Sequence, residues 1–321
     1  MTSTNKPGFC QRFFVFLQLD LKRRIIKVKR ISIILAATLL IVSCGDANRQ
    51  YVRKAIRIMD RNGLFSEGPD WETAKAEALS ANPESLEEAQ EIVRTAAKVA
   101  GGKHSFLQLA GSVAADAASE WPAPEVTFSD GGIPVVSLPP FSGNHDEGVK
   151  YASTVLSAIP EDIPGVVIDL RGNTGGNMFP MIAAVHRFLV NDDQTLRFRT
   201  RSRTQRIPLS FAVQTAGVKQ HSRIECPVAI LTDSLTASSG EAALICFRGL
   251  DYVRVFGGPT AGYASANQPF PLPGGDHLVL TTGCDVARTG EVFCDDPIEP
   301  DVLTDTPLED ALGWINNRNS H

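Results

Sequence analysis

The sequence predicts an α/β fold preceded by a short helical region, on the strength of three observations. Short apolar runs, Val166 to Leu170 and Pro227 to Leu231, read as buried strands. Each leads through a glycine- or serine-bearing turn into an apolar-periodic stretch that reads as a helix, Met178 to Val190 in one case and Glu241 to Leu250 in the other. Before them, from Asn48 to Val99, only helical periodicity is present.

The beginning of the chain carries an address. Lys22, Arg23, Arg24, Lys27, Lys29 and Arg30 precede an apolar run from Ile31 to Ser43, the order of a secretory signal and too short for a comfortable membrane span. The run closes on Ile41-Val42-Ser43-Cys44-Gly45, which resembles a bacterial lipoprotein processing box. The expectation is a signal over residues 1–43, lipidation of Cys44, membrane attachment through that anchor, and an extracytoplasmic body.

Residues 44–115 are expected to form the helical region. Tyr51, Ala55, Ile58 and Met59 share one side of a first helix. A second runs from Asp70 to Leu79, and a third opens on Ser85-Leu86-Glu87-Glu88, the spacing of a capping box. Gly101-Gly102 ends it. The α/β body is expected over 116–321, beginning with strands at Val126 to Phe128 and Val135 to Leu138 around a hairpin signal at Asp130-Gly131-Gly132. A loop from Pro139 to Glu147, a helix from Val149 to Ile159, and tail strands at Val253 to Phe256 and Leu278 to Thr281 complete the plan.

Of the 321 residues 43% are hydrophobic, ample for a packed core, and a net charge of -5 without a basic aromatic patch argues against nucleic acid as a partner. Cys226, Cys246, Cys284 and Cys294 lack C-x-x-C spacing, which argues against zinc, and no metal or organic cofactor is expected. Cys284 and Cys294 flank a hairpin signal at Arg288-Thr289-Gly290; whether they pair is left open by the sequence. Cys226 and Cys246 read as small buried apolar residues.

Two turns carry chemistry. In Thr236-Ala237-Ser238-Ser239-Gly240-Glu241 a serine stands where a strand becomes a helix, beside free N–H groups and the positive end of a helix dipole. The plain alternative is a helix cap, with Glu241 closing a capping box. Asp169-Leu170-Arg171-Gly172-Asn173-Thr174-Gly175-Gly176 forms the other turn; its glycines let N–H groups face a cavity, but it lacks the Gly-Lys-Ser/Thr of a phosphate loop. Both open at the carboxyl ends of strands, where ligands gather in α/β folds. A serine nucleophile needs a base. Among the histidines, His186 reads as structural and His145 and His221 as solvated, and only His104 marks a junction between helix and core.

Lys103-His104-Ser105-Phe106, the Asp169–Gly176 turn, the Thr236–Glu241 turn with Gly258-Pro259-Thr260-Ala261-Gly262, and Pro297-Ile298-Glu299-Pro300-Asp301 together resemble the C-terminal-processing (tail-specific) serine peptidases, a family that includes the tricorn core, most closely its nisin-resistance type. The resemblance implies a crotonase-like β-α core with Ser238 as nucleophile and His104 as general base. It further implies oxyanion donors at the N–H groups of Ser239 and of Gly175 or Gly176. Asn177, Met178 and Asn267 are implied to line a peptide groove, with Glu241 among the substrate-site residues; to orient His104 the tricorn branch suggests Glu299, and adjacency offers Ser105. The implied activity is cleavage of peptides or protein C-terminal tails, with lantibiotic resistance as one role in the family.

Two departures shape that expectation. Tyr263 stands where Ser-Lys members carry lysine, and a phenol is a poor base at neutral pH, so the histidine branch is implied. The stretch between His104 and Asp169 is filled by predicted strands and a helix, leaving no room for a PDZ insertion. The alternatives are a catalytically inactive peptide-binding lipoprotein of the same fold and, more remotely, a crotonase-like acyl-transfer enzyme. The ordinary pKa of imidazole, about 6.5, sets the pH at which activity is expected to rise.

Overall fold

The computed structural model describes residues 46–111 and 121–319. The expected signal and Cys44 lie outside the described residues, as does His321. No helix among the described residues is long and apolar enough to cross a membrane.

Helix α1 covers 46–62, α2 Pro69–Ser80 and α3 Leu86–Gly101. Ser85 caps α3 by accepting from the Glu88 N–H, as the spacing predicts. Strand β1 (Phe106–Gln108) follows at once, placing His104 in the four-residue link between the helical region and the first strand. Beyond 121 come β2 (Glu125–Phe128), β3 (Pro134–Ser137), α4 (His145–Ala158), β4 (Val166–Asp169) and α5 (Met178–Ala184). Then follow β5 (Leu196–Thr200), β6 (Thr204–Ile207), α6 (Leu209–Thr215), β7 (Val228–Thr232) and α7 (Ser239–Ile245). The chain closes with β8 (Val253–Gly257), β9 (Ser265–Pro271), β10 (His277–Val286), β11 (Val292–Phe293), β12 (Val302–Leu303) and α8 (Pro307–Asn319).

One sheet has the order β12-β8-β7-β4-β3-β2, parallel except for β2. Its central strands are apolar on both faces because helices cover both. Val166, Ile168, Val228 and Ile230 pack under α4, α5 and α7. The alternate residues Val167, Ala229 and Leu231 meet Ala311 and Ile315 of α8. The second sheet runs β1-β10-β5-β6, with β9 and β11 also paired to β10. Leu278 and Leu280 of β10 share a core with Tyr51, Met59, Trp71 and Val93, so the helical region is seated on this sheet.

Helix α4 starts at His145, four residues before its expected start, because Asn144 and Glu147 form a reciprocal capping box inside the predicted loop. The helix expected to reach Val190 stops at Ala184, after which His186–Phe188 forms a 3₁₀ turn. The helix expected from Glu241 to Leu250 runs instead from Ser239 to Ile245. The fold class stands as expected, an α/β core with a small helical N-terminal region. Cys284 and Cys294 are joined by a disulfide, while Cys226 and Cys246 are free and buried.

Candidate active site

Parallel strands β4 and β7 are neighbours, so the turns leaving their carboxyl ends meet. The Ala237 N–H donates to the Asn173 carbonyl at 2.8 Å, and Ser239 Oγ donates to the Gly176 carbonyl at 2.6 Å. Asn173, fully buried, anchors the glycine turn by donating to the Leu138 carbonyl and accepting from the Gly175 N–H. Thr236, also buried, donates to the Leu170 carbonyl.

Ser238 caps the N-terminus of α7 with φ 52° and ψ -113°. Among the described residues it is the one non-glycine with positive φ. Such a backbone costs on the order of 1–3 kcal/mol and persists only where its surroundings hold it. Glu241 does much of the holding. It is fully buried, and its carboxylate accepts from the N–H groups of Ser238, Gly262 and Tyr263 and from Thr260 Oγ1. Burial raises its pKa, and those four donors oppose the rise.

The two turns open on a cleft of about 580 Å³. Gly176, Asn177, Met178, Ser238, Ser239 and Asn267 all line it, with Phe198, Ile207 and Phe211 among its apolar walls. Neither the Ser239 N–H nor the Gly176 N–H donates to a protein group among the described residues. Two amides and a hydroxyl thus border one cavity beside a helix start, an arrangement able to hold a tetrahedral oxyanion.

His104 is not part of the cleft wall; it meets the wall through Ser265. His104 Nδ1 lies 2.9 Å from Ser265 Oγ, and Ser265 lines the cleft. The Tyr263 ring packs edge-on against the imidazole with centroids 5.2 Å apart, and Asn267 Nδ2 donates to the His104 carbonyl at 3.0 Å. Burial, then the neighbouring Lys103 ammonium, lowers the His104 pKa to about 4, so the imidazole is neutral at pH 7. Lys103 Nζ itself sits 4.5 Å from the centre of the Tyr263 ring and donates to the Ala261 carbonyl.

Several expected roles change. The Gly175 N–H is taken by Asn173 Oδ1, so of the two glycines expected as donors it is Gly176 whose amide stays open. Glu241 braces the turn from inside and does not reach the cleft as a substrate contact. Asn267 lines the cleft, yet its amide is occupied, donating to His104 and accepting from Thr281 Oγ1. The Ser105 hydroxyl is bound to Thr281, Glu299 is exposed, and the hydrogen bond to the imidazole among the described residues comes from neither. The partner at the ring is Ser265, absent from the sequence reading because nothing local marks it. The other histidines stand as the sequence places them: His186 is buried between the Ala183 carbonyl and the His221 N–H, and His145 and His221 are exposed.

A cleft edged by a strained serine and free amides, with a neutral imidazole one residue behind its wall, has the groups that a hydrolase working through serine needs. The sequence signature of peptidase family S41 matches residues 132–304, just over half of the chain, and the chain belongs to that family of serine peptidases. It is 30% identical over 279 residues to the nisin-resistance protein of Lactococcus lactis subsp. lactis, covering 84% of this chain and 87% of that one. It is 23% identical over 187 residues to a CtpA-like serine protease of Staphylococcus aureus, covering 58% of this chain and 36% of the other. Among solved structures, a lipoprotein from Streptococcus agalactiae superposes with a TM-score of 0.76 at 29% identity, covering 85% of this chain and 97% of that one.

Proposed function

We propose that this protein is an extracytoplasmic, lipid-anchored serine endopeptidase that cleaves peptides or protein C-terminal tails through Ser238 and His104. The observation that carries the reading is the meeting of the two turns: Ser238, in its strained backbone, faces the same cleft as the N–H groups of Ser239 and Gly176.

The chemistry follows from that arrangement. With Nδ1–H donating to Ser265 Oγ, His104 keeps its Nε2 lone pair for the Ser238 hydroxyl proton. Contacts between nucleophile and base tighten when substrate fills a site. Ser238 Oγ attacks the scissile carbonyl, and the oxyanion is held by the two amides. His104 then returns the proton to the leaving amine. Water, deprotonated by the same imidazole, releases the acyl group and restores Ser238. Asn177 and Met178 flank the bound chain.

An extracytoplasmic address is supported by the processing box at Cys44, by the lipoprotein neighbour and by the Cys284–Cys294 disulfide, which belongs in an oxidising compartment. Its resemblance to a nisin-resistance protein makes a lanthipeptide such as nisin the first substrate to try. The deciding experiment treats the wild type, Ser238→Ala and His104→Ala with a fluorophosphonate probe and with nisin and a peptide library. We expect a label on wild-type Ser238 alone and loss of cleavage in both variants. An unlabelled wild type that binds peptides without cutting them would mark a binding lipoprotein instead.

A further inference from the structure

Across the described residues, buried carboxylates find donors. Asp276 accepts from Tyr51, Gln90 and the Ala110 N–H; Glu241 accepts from four groups; half-buried Asp169 binds Arg171. Two carboxyls depart from the pattern: Asp295, whose Oδ1 is unpartnered while its Oδ2 accepts from the Lys103 N–H, and Asp285. Asp285 lies on β10 with only 2% of its surface exposed, and its Oδ1 has no hydrogen-bond partner. A buried acceptor without a partner costs on the order of 1–3 kcal/mol, so a native protein that keeps one calls for an explanation.

The explanation lies in where the residue stands. Asp285 is part of the wall of the cleft that holds Ser238, and it is the single ionisable residue of that lining. Its cross-strand partner Phe198 stands on the same side and also lines the cleft. No bond joins Asp285 to either of the arginines near this end of β10 among the described residues. Arg197 pairs with Val286, one residue along and therefore on the opposite face, and reaches the Ala287 carbonyl. Arg288 Nη1 binds Asp192, while its Nε and Nη2, like Arg197 Nε, are buried without partners. Burial, with the Glu241 carboxylate nearby as a second cause, raises the Asp285 pKa well above the usual carboxylate range, as expected of a carboxyl without a counter-charge.

We infer that Asp285 is the recognition group of a side-chain subsite for a basic residue, lysine or arginine, of the peptide bound in the catalytic cleft. Phe198, Ile207 and Phe211 offer apolar wall for the methylene stem of such a side chain, while the recessed carboxyl receives its charged head. A neutral donor would satisfy one oxygen; an ammonium or guanidinium also supplies the missing charge. The chain's net charge of -5 favours the approach of cationic peptides. This inference rests on reading the cleft as a peptide groove.

The test uses the full chain and one fluorescent decapeptide in which Lys, Arg, Leu, Gln, Ser or Glu is walked through every position. Binding is measured by anisotropy on Ser238→Ala, and kcat/KM on the otherwise wild-type protein. One position is expected to favour Lys or Arg at least tenfold over Leu and Gln. Adding Asp285→Asn should compress that ratio below threefold. No basic preference at any position, a preference for Gln or Ser in its place, or a ratio that survives Asp285→Asn overturns the subsite. The first two outcomes need no variant at Asp285, so misfolding of Asp285→Asn does not protect the idea. Selective binding by Ser238→Ala together with no cleavage by wild type refutes the peptidase reading and leaves the subsite standing. Peptides that fail to bind at all refute both.

Discussion

Ser238 and Tyr263 share an acceptor: the N–H of each donates to Glu241 Oε2 at 2.8 Å. One carboxylate oxygen therefore ties the serine turn to the segment on which His104 rests, since Tyr263 packs against the imidazole and Ser265 bonds to it. Replacing Glu241 by alanine strands several buried donors. We expect a stability loss of several kcal/mol, at about 1–3 kcal/mol for each buried donor left unsatisfied. Glu241→Gln keeps the shape but turns an NH₂ toward N–H donors, and should slow fluorophosphonate labelling of Ser238 by at least about tenfold even where the protein stays folded. Labelling at the wild-type rate in a folded Glu241→Gln protein would show that the brace is dispensable for the nucleophile.

Gly175 and Gly172 make a matched pair within one turn. A Cβ at Gly175 stands 2.8 Å from Ser238 Cβ and 3.1 Å from Ser239 N, at φ +103°. At Gly172, φ +71°, a Cβ meets nothing within 4 Å. Gly172→Ala should cost on the order of 1–2 kcal/mol of stability through backbone strain while kcat/KM holds. Gly175→Ala should displace the nucleophile and its oxyanion donor, lowering kcat/KM about a hundredfold or more. Equal effects of the two substitutions on kcat/KM would contradict this account.

The pH profile separates a buried base from a solvated one. Protonated imidazole cannot accept the serine proton, so activity falls as pH drops through the His104 pKa. Burial and Lys103 place that value at about 4, below the 6.5 expected from the sequence. We therefore expect kcat/KM to be level from neutral pH to about pH 5, with its acid limb near 4. An acid limb near 6.5 would mean that His104 titrates as a solvated group. Ser265→Ala removes the Nδ1 partner and should lower kcat at least about tenfold with KM little changed, and Ser265→Thr, which keeps the hydroxyl, should restore most of it.

The difference between what sequence revealed and what it hid has a physical cause. The serine and glycine turns were legible because each is a local event, an apolar strand running into a capped helix within about ten residues. His104 was visible only through the family resemblance and its place between Gly102 and β1. Ser265 and Asp285 gave no local signal. They acquire their positions from strand pairing: Ser265 lies opposite Cys284 in the β9–β10 ladder, and Asp285 is the next residue. β10 is ten residues long and meets four strands, with a register shift between Thr281 and Gly283 that no periodicity announces. The choice between Gly175 and Gly176 stays open in the sequence for a subtler reason. The Gly175 N–H is closed off by the side chain of Asn173, two residues earlier, and glycine freedom alone does not say which amide stays open.

The disulfide at Cys284 holds β10 at the point where Ser265 pairs with it. Cys284 faces Ser265 in the ladder, and its bond to Cys294 ties the strand to the end of β11, which continues along the same edge of β10, opposite β5, closing a separation of 10 residues. A loop of that length restricts the unfolded chain by about 2.5–3 kcal/mol in the chain-entropy account. Cys284→Ser with Cys294→Ser should therefore unfold at a lower denaturant midpoint with a nearly unchanged slope, since the surface exposed on unfolding is the same. The wild type under reductant should match the double variant, and reductant should leave the double variant where it was. Because the bond secures the strand under Ser265 and Asp285, its loss should also lower kcat/KM toward peptides well below the midpoint, before global unfolding is detectable. A shifted midpoint with unchanged kcat/KM would confine the disulfide to stability and separate it from the site.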